Sequence, residues 1–254
     1  MAAQPGFARA LDLYRLGIYA PAAREWNFTL AGLDPQDIHA AADLACARRA
    51  WMLCISASEH TRGPVDWSQR YAMPYQDAVA SAARATGVSE AFIYGIIRQE
   101  SRFAAQIQSW AGANGLMQLM PATAHWVAHK IGMDDYARDR IADTATNVTL
   151  GASYLGMLLQ RFDGSEALAA AGYNAGPGRP ARWRQLGNDR LGGMSGAIFA
   201  ENIPIPETRN YVQRVLANAT VYAARLGGAA PSLESRLGRI GPAPASAPAL
   251  ASLP

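Results

Sequence analysis

Cysteine is scarce in this 254-residue chain, charged residues make up only 17% of it, and no long apolar run is present. Each shortage excludes something. Cys46 and Cys54 lie in ADLACARRAWMLC; if that run is one helix, its rise separates their α-carbons by roughly 12 Å, too far for a disulfide within the element. The pair therefore fixes no redox compartment. No stretch of about 18 uncharged apolar residues exists, so no transmembrane segment is expected. The opening MAAQPGFARALD lacks the basic region and apolar run of a secretory signal. The formal charge is only +3, with no block of lysine or arginine, which gives no footprint for a nucleic-acid partner. GxSxG, GxGxxG and phosphate-loop patterns are missing, and neither cysteine sits in a catalytic motif with a histidine. The histidines are His39, His60, His125 and His129; the HWVAH pair has i,i+4 spacing but no HExxH glutamate, so it reads as packed or solvated, with no metal implied.

Half of the chain is apolar, enough for one sizeable core or for a core domain with a smaller helical neighbour. Residues 1–74 show apolar and aromatic residues at helical spacing, broken by Gly17 and Pro21, and read as helix pairs. They form either a helical cap or the last fragment of a solenoid. TRGPVDWSQRYAMPY is a connector whose aromatics place it against a surface. From residue 75, YQDAVASAARATG reads as a helix, and Ser89 caps the next, SEAFIYGIIRQESRF. GLMQLMPATAHWVAHKIG, TATNVTLGASYLGMLLQRF, SEALAAAGYNAG and PARWRQL read as further helices, with room for a small short-stranded sheet near MDDYARDRI. Pro206 opens a last long helix, and residues 228–254, rich in Pro, Ala, Ser and Gly, read as a flexible tail. The fold expected is all-α or mainly α.

Candidate chemistry rests on carboxylates. In IIRQESRF, Glu100 stands at i+4 from Ile96, on or beside the buried stripe shared by Phe92, Ile96 and Phe103. An acid there must be paired or must face a cleft, because burying a lone carboxylate is costly. In an apolar cleft its neutral form is favoured, and a neutral glutamic acid can protonate a glycosidic oxygen near neutral pH. Most glycosidases need a second carboxylate across the bond. Asp134, Asp135, Asp139, Asp143, Glu201 and Glu207 are candidates, and spacing selects none of them.

The run RQESRFAAQIQSWAGANGLMQLMPATA, followed in order by NVTLGASYLGMLLQRFDG, ALAAAGYNAGPGRPARW and ENIPIPETRNYVQRVL, resembles the soluble lytic murein transglycosylases related to goose-type lysozyme. The likeness spans roughly residues 75 to 226; the helices before it resemble the end of the family's superhelical region more weakly. It implies a lysozyme-like catalytic domain over residues 75–227, preceded by a small helical region over 1–74. Glu100 matches the catalytic acid. Ser109, Met117 and Gln118 match residues of the cleft and groove, and Tyr173 the tyrosine that helps hold the transition state or Glu100. Asn174 either stabilises its loop or touches sugar, while Glu207 and Tyr211 match the groove's far wall. Ala105 replaces a frequent proline, and Ile107 stands where a smaller residue is common.

The resemblance also implies the reaction. Glu100 would cleave the β-1,4 bond between N-acetylmuramic acid and N-acetylglucosamine without water, leaving a 1,6-anhydromuramic acid end and requiring no cofactor. The alternatives are a hydrolytic muramidase or an inactive glycan-binding scaffold. The expected partner is the peptidoglycan glycan strand, in a periplasmic setting. Bland readings compete at each position: Glu100 could pair with Arg102, Ser109 and Asn174 could be caps, Met117 core filler, Gln118 a structural amide, Tyr173 and Tyr211 core tyrosines, and Glu207 a paired acid.

Overall fold

The computed structural model describes residues 4–191, 193–228 and 230–242. Its N-terminal section is built of α1 (Pro5–Arg15), α2 (Tyr19–Leu30), α3 (Pro35–Ala47) and α4 (Trp51–His60), followed by the single-turn α5 (Trp67–Arg70). Their small core is Phe7, Trp26, Leu30 and Leu53 with the alanines of α3. Asp34 caps α3 through the Asp37 amide with Pro35 in the first turn, as a polar cap followed by proline should.

The two cysteines correct the one-helix premise. α3 stops at Ala47, and Arg49 adopts a left-handed φ of 56°, so the chain doubles back into α4. That turn brings the α-carbons of Cys46 and Cys54 to 5.0 Å, and the pair is disulfide-bonded. An unbroken helical rise is what the distance argument had assumed.

The second, larger core runs from Ile55 to Ile240. It holds α6 (Gln76–Thr86), α7 (Glu90–Glu100), α8 (Pro121–Lys130), a 3-10 turn (Arg138–Ala142), α9 (Thr144–Arg161), α10 (Glu166–Ala175) and α11 (Gly178–Leu191). Strand β1 (Met194–Ser195), α12 (Gly196–Glu201), α13 (Pro206–Arg225), α14 (Leu233–Leu237) and β2 (Arg239–Ile240) complete it. The fold is mainly α-helical. Three local expectations change. GLMQLM precedes α8 as a turn, because Gly115 and Gln118 take positive φ. The short sheet pairs β1 with β2, not the MDDYARDRI segment, which forms the 3-10 turn. Residues 230–242 are not a loose tail: Arg236 grips Glu166 at 2.8 Å, Arg184 donates to the Gly241 and Pro242 carbonyls, and Ile240 is buried. Residues 243–254 of that expected tail lie outside the described residues.

Helix α7 is apolar nearly all round, with every residue from Ala91 to Arg98 buried, which suits a helix at the centre of a domain. It crosses α13 at Gly95, where an added Cβ would stand 2.9 Å from the Val215 carbonyl oxygen and 3.2 Å from the Ala219 Cβ. The two backbones approach this closely only because glycine has no side chain. We expect Gly95→Ala to cost about 1–3 kcal/mol in denaturant unfolding, the range for overpacking a rigid contact; an unchanged midpoint would show that the crossing is looser than described. The connector lies against the same helices. Tyr71 meets Tyr222 with ring centres 5.5 Å apart, Tyr94 donates to the Pro74 carbonyl, and Tyr222 to that of Ala72.

Candidate active site

Glu100 is the last residue of α7. The chain then reverses sharply, since Arg102 and Phe103 both hold left-handed φ values, of 47° and 65°. Ser101 secures the reversal by donating to the Ile97 carbonyl and accepting from the Phe103 amide. The acid is thus left at a helix end, half-buried as a residue, with its carboxyl tucked among buried groups.

Its neighbours decide its chemistry. The flanking arginines are both taken by Glu59: Arg98 at 3.0 Å and Arg102 at 2.8 Å. Burial pushes Glu59 up, but the two guanidiniums outweigh it and hold that carboxyl below its ordinary range. Neither flanking arginine is left to pair Glu100, and among the described residues no ion pair reaches it, so the reading that pairs it with Arg102 fails. Tyr211 instead donates its hydroxyl to Glu100 Oε1 at 2.6 Å. Burial pushes the Glu100 carboxyl up to about 7; the Tyr211 bond opposes this and the Glu207 charge adds to it. The C-terminal end of the α7 dipole acts in the same direction as Glu207. Glu207 sits exposed in the first turn of α13, one turn before Tyr211. Burial and the Glu100 charge hold the phenols of Tyr173 and Tyr211 well above the ordinary tyrosine range, so both are donors at any working pH.

These opposed influences give a paired prediction. Tyr211→Phe removes the donor that favours the carboxylate, so the Glu100 pKa rises and the alkaline limb of activity moves to higher pH. Glu207→Gln removes a like charge, so the same limb moves to lower pH, with less loss of turnover than any change at Glu100. A pH-rate profile in which both variants shift the limb the same way would contradict this arrangement.

Tyr173 does not bond Glu100. Its hydroxyl donates to the Met117 carbonyl at 2.8 Å, and its ring packs 5.5 Å from that of Tyr154. Met117 is fully buried, its side chain against the space left at Gly151, so the expectation that it lines the groove is corrected: it supports the wall from beneath. Gln118 donates to the Ile107 and Gly115 carbonyls, and Ser109 Oγ accepts from the Ala113 amide at 3.0 Å. Both side chains hold the loop between α7 and α8. Asn174 accepts a hydrogen bond from Thr208 at 2.7 Å, which ties α10 to α13 beside Glu207. Trp110 is fully exposed on the turn that Ser109 secures.

Sequence reasoning missed Asn147. Buried completely in α9, it accepts from the Met117 amide at 2.8 Å and donates to the carbonyls of Asn114 and Ile141 at 3.0 and 2.7 Å. Gly115 makes room for it: a Cβ there would meet its amide nitrogen at 2.4 Å. The signal was an asparagine on the stripe formed with Leu150, Gly151 and Tyr154, where an unsatisfied amide would be costly.

Along the same loop opens a groove of about 860 Å³, walled by Gln108, Asn114, Met120, His125 and Arg138. Neither Glu100 nor Tyr211 lines it, so it adjoins the acid through the loop instead of containing it. Among the described residues no three His, Cys, Asp or Glu side chains converge as a metal site, and no helix is long and apolar enough to cross a membrane.

An acid at the end of a central helix, in a mainly α-helical domain with a two-stranded sheet, defines a lysozyme-like protein. Residues 77–191 match the family model described as the transglycosylase SLT domain. Residues 1–61 match the soluble lytic murein transglycosylase L domain, and 202–231 the soluble lytic transglycosylase helical domain. The soluble lytic murein transglycosylase of Salmonella typhimurium is 32% identical over 88% of this chain and 34% of its own length, and that of Escherichia coli K12 is 30% identical over the same shares. Among solved structures, an inactive mutant of the lytic transglycosylase Slt from Pseudomonas aeruginosa superposes with a TM-score of 0.80 at 31% identity, covering 92% of this chain and 37% of that one. The 70 kDa enzyme of Escherichia coli gives 0.78 at 28% identity, with the same coverage. The chain belongs to the soluble lytic murein transglycosylase family. It spans about a third of the length of the curated relatives it matches.

Proposed function

We propose that this chain cleaves the β-1,4 bond between N-acetylmuramic acid and N-acetylglucosamine in peptidoglycan without adding water. The observation that carries this reading is the desolvated Glu100, raised to about 7 and held by Tyr211 at 2.6 Å, with no ion pair to it among the described residues. Such an acid is protonated in a large share of molecules at neutral pH and ionised in the rest, so it can give a proton and take one back within a turnover.

In the first step Glu100 gives its proton to the glycosidic oxygen. The bond to the anomeric carbon breaks, the N-acetylglucosamine side leaves as an alcohol, and the muramyl acetamido carbonyl supports the positive charge. Glu100, now ionised, then takes the proton of the muramyl C6 hydroxyl as that oxygen attacks the anomeric carbon. The anhydro ring closes and Glu100 is again neutral. Because the nucleophile is part of the reacting sugar, proximity supplies much of what a second carboxylate and a bound water supply elsewhere. Tyr211 steadies the ionised intermediate state of Glu100, and Ser109, Gln118, Asn174 and Glu207 shape or line the path of the strand. The exposed Trp110 ring offers a stacking face for a sugar.

The glycan strand is the partner, and the periplasm the compartment, a setting that fits the Cys46–Cys54 disulfide. Digestion of purified peptidoglycan followed by mass spectrometry tests the proposal. Products one water lighter than reducing muropeptides are expected; reducing ends would mean hydrolysis, and no release would mean binding only.

A further inference from the structure

Glu59 lies in the last turn of α4, in the N-terminal section, yet its carboxylate takes the arginines on either side of Glu100 in the chain. Arg98 meets Oε1 at 3.0 Å and Arg102 meets Oε2 at 2.8 Å, one guanidinium to each oxygen. The two arginines are held differently. Arg98 stands two residues before Glu100 on α7, a spacing that faces it away from the acid. It is only 7% exposed, donates also to the Arg70 carbonyl at 2.9 Å, and lies 4.6 Å over the Tyr71 ring. Arg70 in turn donates to the Ser58 carbonyl at 3.0 Å and the Thr61 hydroxyl at 3.1 Å, so the end of α4, the connector and α7 form one network.

Arg102 has no such enclosure. Its side chain is 40% exposed, it belongs to the left-handed reversal beyond Glu100, and among the described residues Glu59 is the one hydrogen-bond partner of its guanidinium. Glu100 itself faces Tyr211 and Glu207 of α13 and Tyr173 of α10, none of them a cation. A guanidinium released two residues away would become its nearest positive charge, and an opposite charge within about 4–6 Å of a carboxyl strongly favours the ionised form. The arginines hold the Glu59 carboxyl below its ordinary range, so the clamp stays charged throughout the range in which Glu100 titrates.

We propose that Glu59 is a positioning residue for the reaction: it holds the Arg102 guanidinium off Glu100 and, with Arg98, pins the end of α7 to the N-terminal helices, so that those helices keep the acid able to carry a proton. The inference rests on the proton-transfer role given to Glu100 above. Glu59 acts only through the two arginines. Removing its charge leaves both guanidiniums in place, with Arg98 still boxed by Tyr71 and the Arg70 carbonyl and Arg102 free to swing toward the acid.

The titration midpoint of Glu100 can be read directly, by carbon-13 NMR of the full chain labelled at its glutamate carboxyls, with the Glu100→Gln spectrum assigning the signal. Glu59→Gln is expected to lower that midpoint by about one pH unit or more. On purified peptidoglycan its kcat at pH 7 should fall about fivefold, with KM kept, and recover as the pH is lowered and Glu100 is protonated again. Adding Arg102→Gln should restore most of the shift, whereas Arg102→Gln alone, at a half-exposed side chain that folding does not depend on, should leave the midpoint in place. A lower Tm for Glu59→Gln with an unmoved midpoint would make Glu59 a staple of the fold only and overturns the proposal. So does Arg102→Gln raising the midpoint equally with and without Glu59, an outcome the single variant exposes even where Glu59→Gln fails to fold. The expected midpoints without release of any product would sink the glycan reading and leave the clamp standing; cleavage with unmoved midpoints would do the reverse.

Discussion

Glu100→Gln should lower turnover of purified peptidoglycan by about 10⁴-fold, the upper end of what one acid–base group supplies, because the same carboxyl serves both proton transfers. Glutamine keeps the volume and can still accept the Tyr211 hydrogen bond, but it can neither give nor take the proton. The fold should survive and even gain. The Glu100 carboxyl is raised from its ordinary 4.5 to about 7. Between those values the folded chain holds a proton that the unfolded chain has lost, so stability falls as pH rises through that window and stays reduced above it. Removing the titrating group relieves a cost on the order of 1–3 kcal/mol, less whatever the partial exposure of the site already screens. The variant should therefore melt at or above the parent's Tm at pH 8, and the two should converge near pH 4. Retained turnover would remove Glu100 from its role; a lower Tm at pH 8 would mean that the carboxylate is better stabilised than its surroundings imply.

Asn147→Ala should be the most damaging change away from the acid. It strands the Met117 amide and the Asn114 and Ile141 carbonyls and leaves a cavity under Gly115, for a loss of about 3–5 kcal/mol in urea unfolding. Activity should fall with it even where the protein stays folded, because Met117 also accepts the Tyr173 hydroxyl and the same loop carries Ser109 and Gln118. Asn147→Asp is the sharper probe. A carboxylate can still accept from Met117 but cannot donate to the two carbonyls, so it should be nearly as destabilising. A melting temperature unchanged in either variant would show that the loop is held by other means.

Most helices were legible because their signals are local. Ser89 caps α7, Asp143 and Ser165 cap α9 and α10, and Pro206 opens α13, each by a side chain or ring acting within one turn. Where reading failed, the deciding contact was distant or the backbone left-handed. GLMQLM has helical spacing, yet positive φ at Gly115 and Gln118 and the grip of Asn147, some thirty residues on, make it a turn. The composition of the C-terminal stretch suggests disorder, but Arg184 and Arg236 bind residues 230–242 to the body.

For the site, the sequence by itself determined that Glu100 ends a buried helical stripe, and the four motifs in register pointed to its family. It could not tell which neighbour would govern that acid. Tertiary structure decided that Glu59 takes both flanking arginines, that Tyr211 and not Tyr173 bonds Glu100, and that Arg49 turns the chain so that two cysteines meet. The reason is physical: a residue's place on a helix follows from its own turn, whereas its partners and its proton affinity depend on groups brought close only by the packing of α7 on α13.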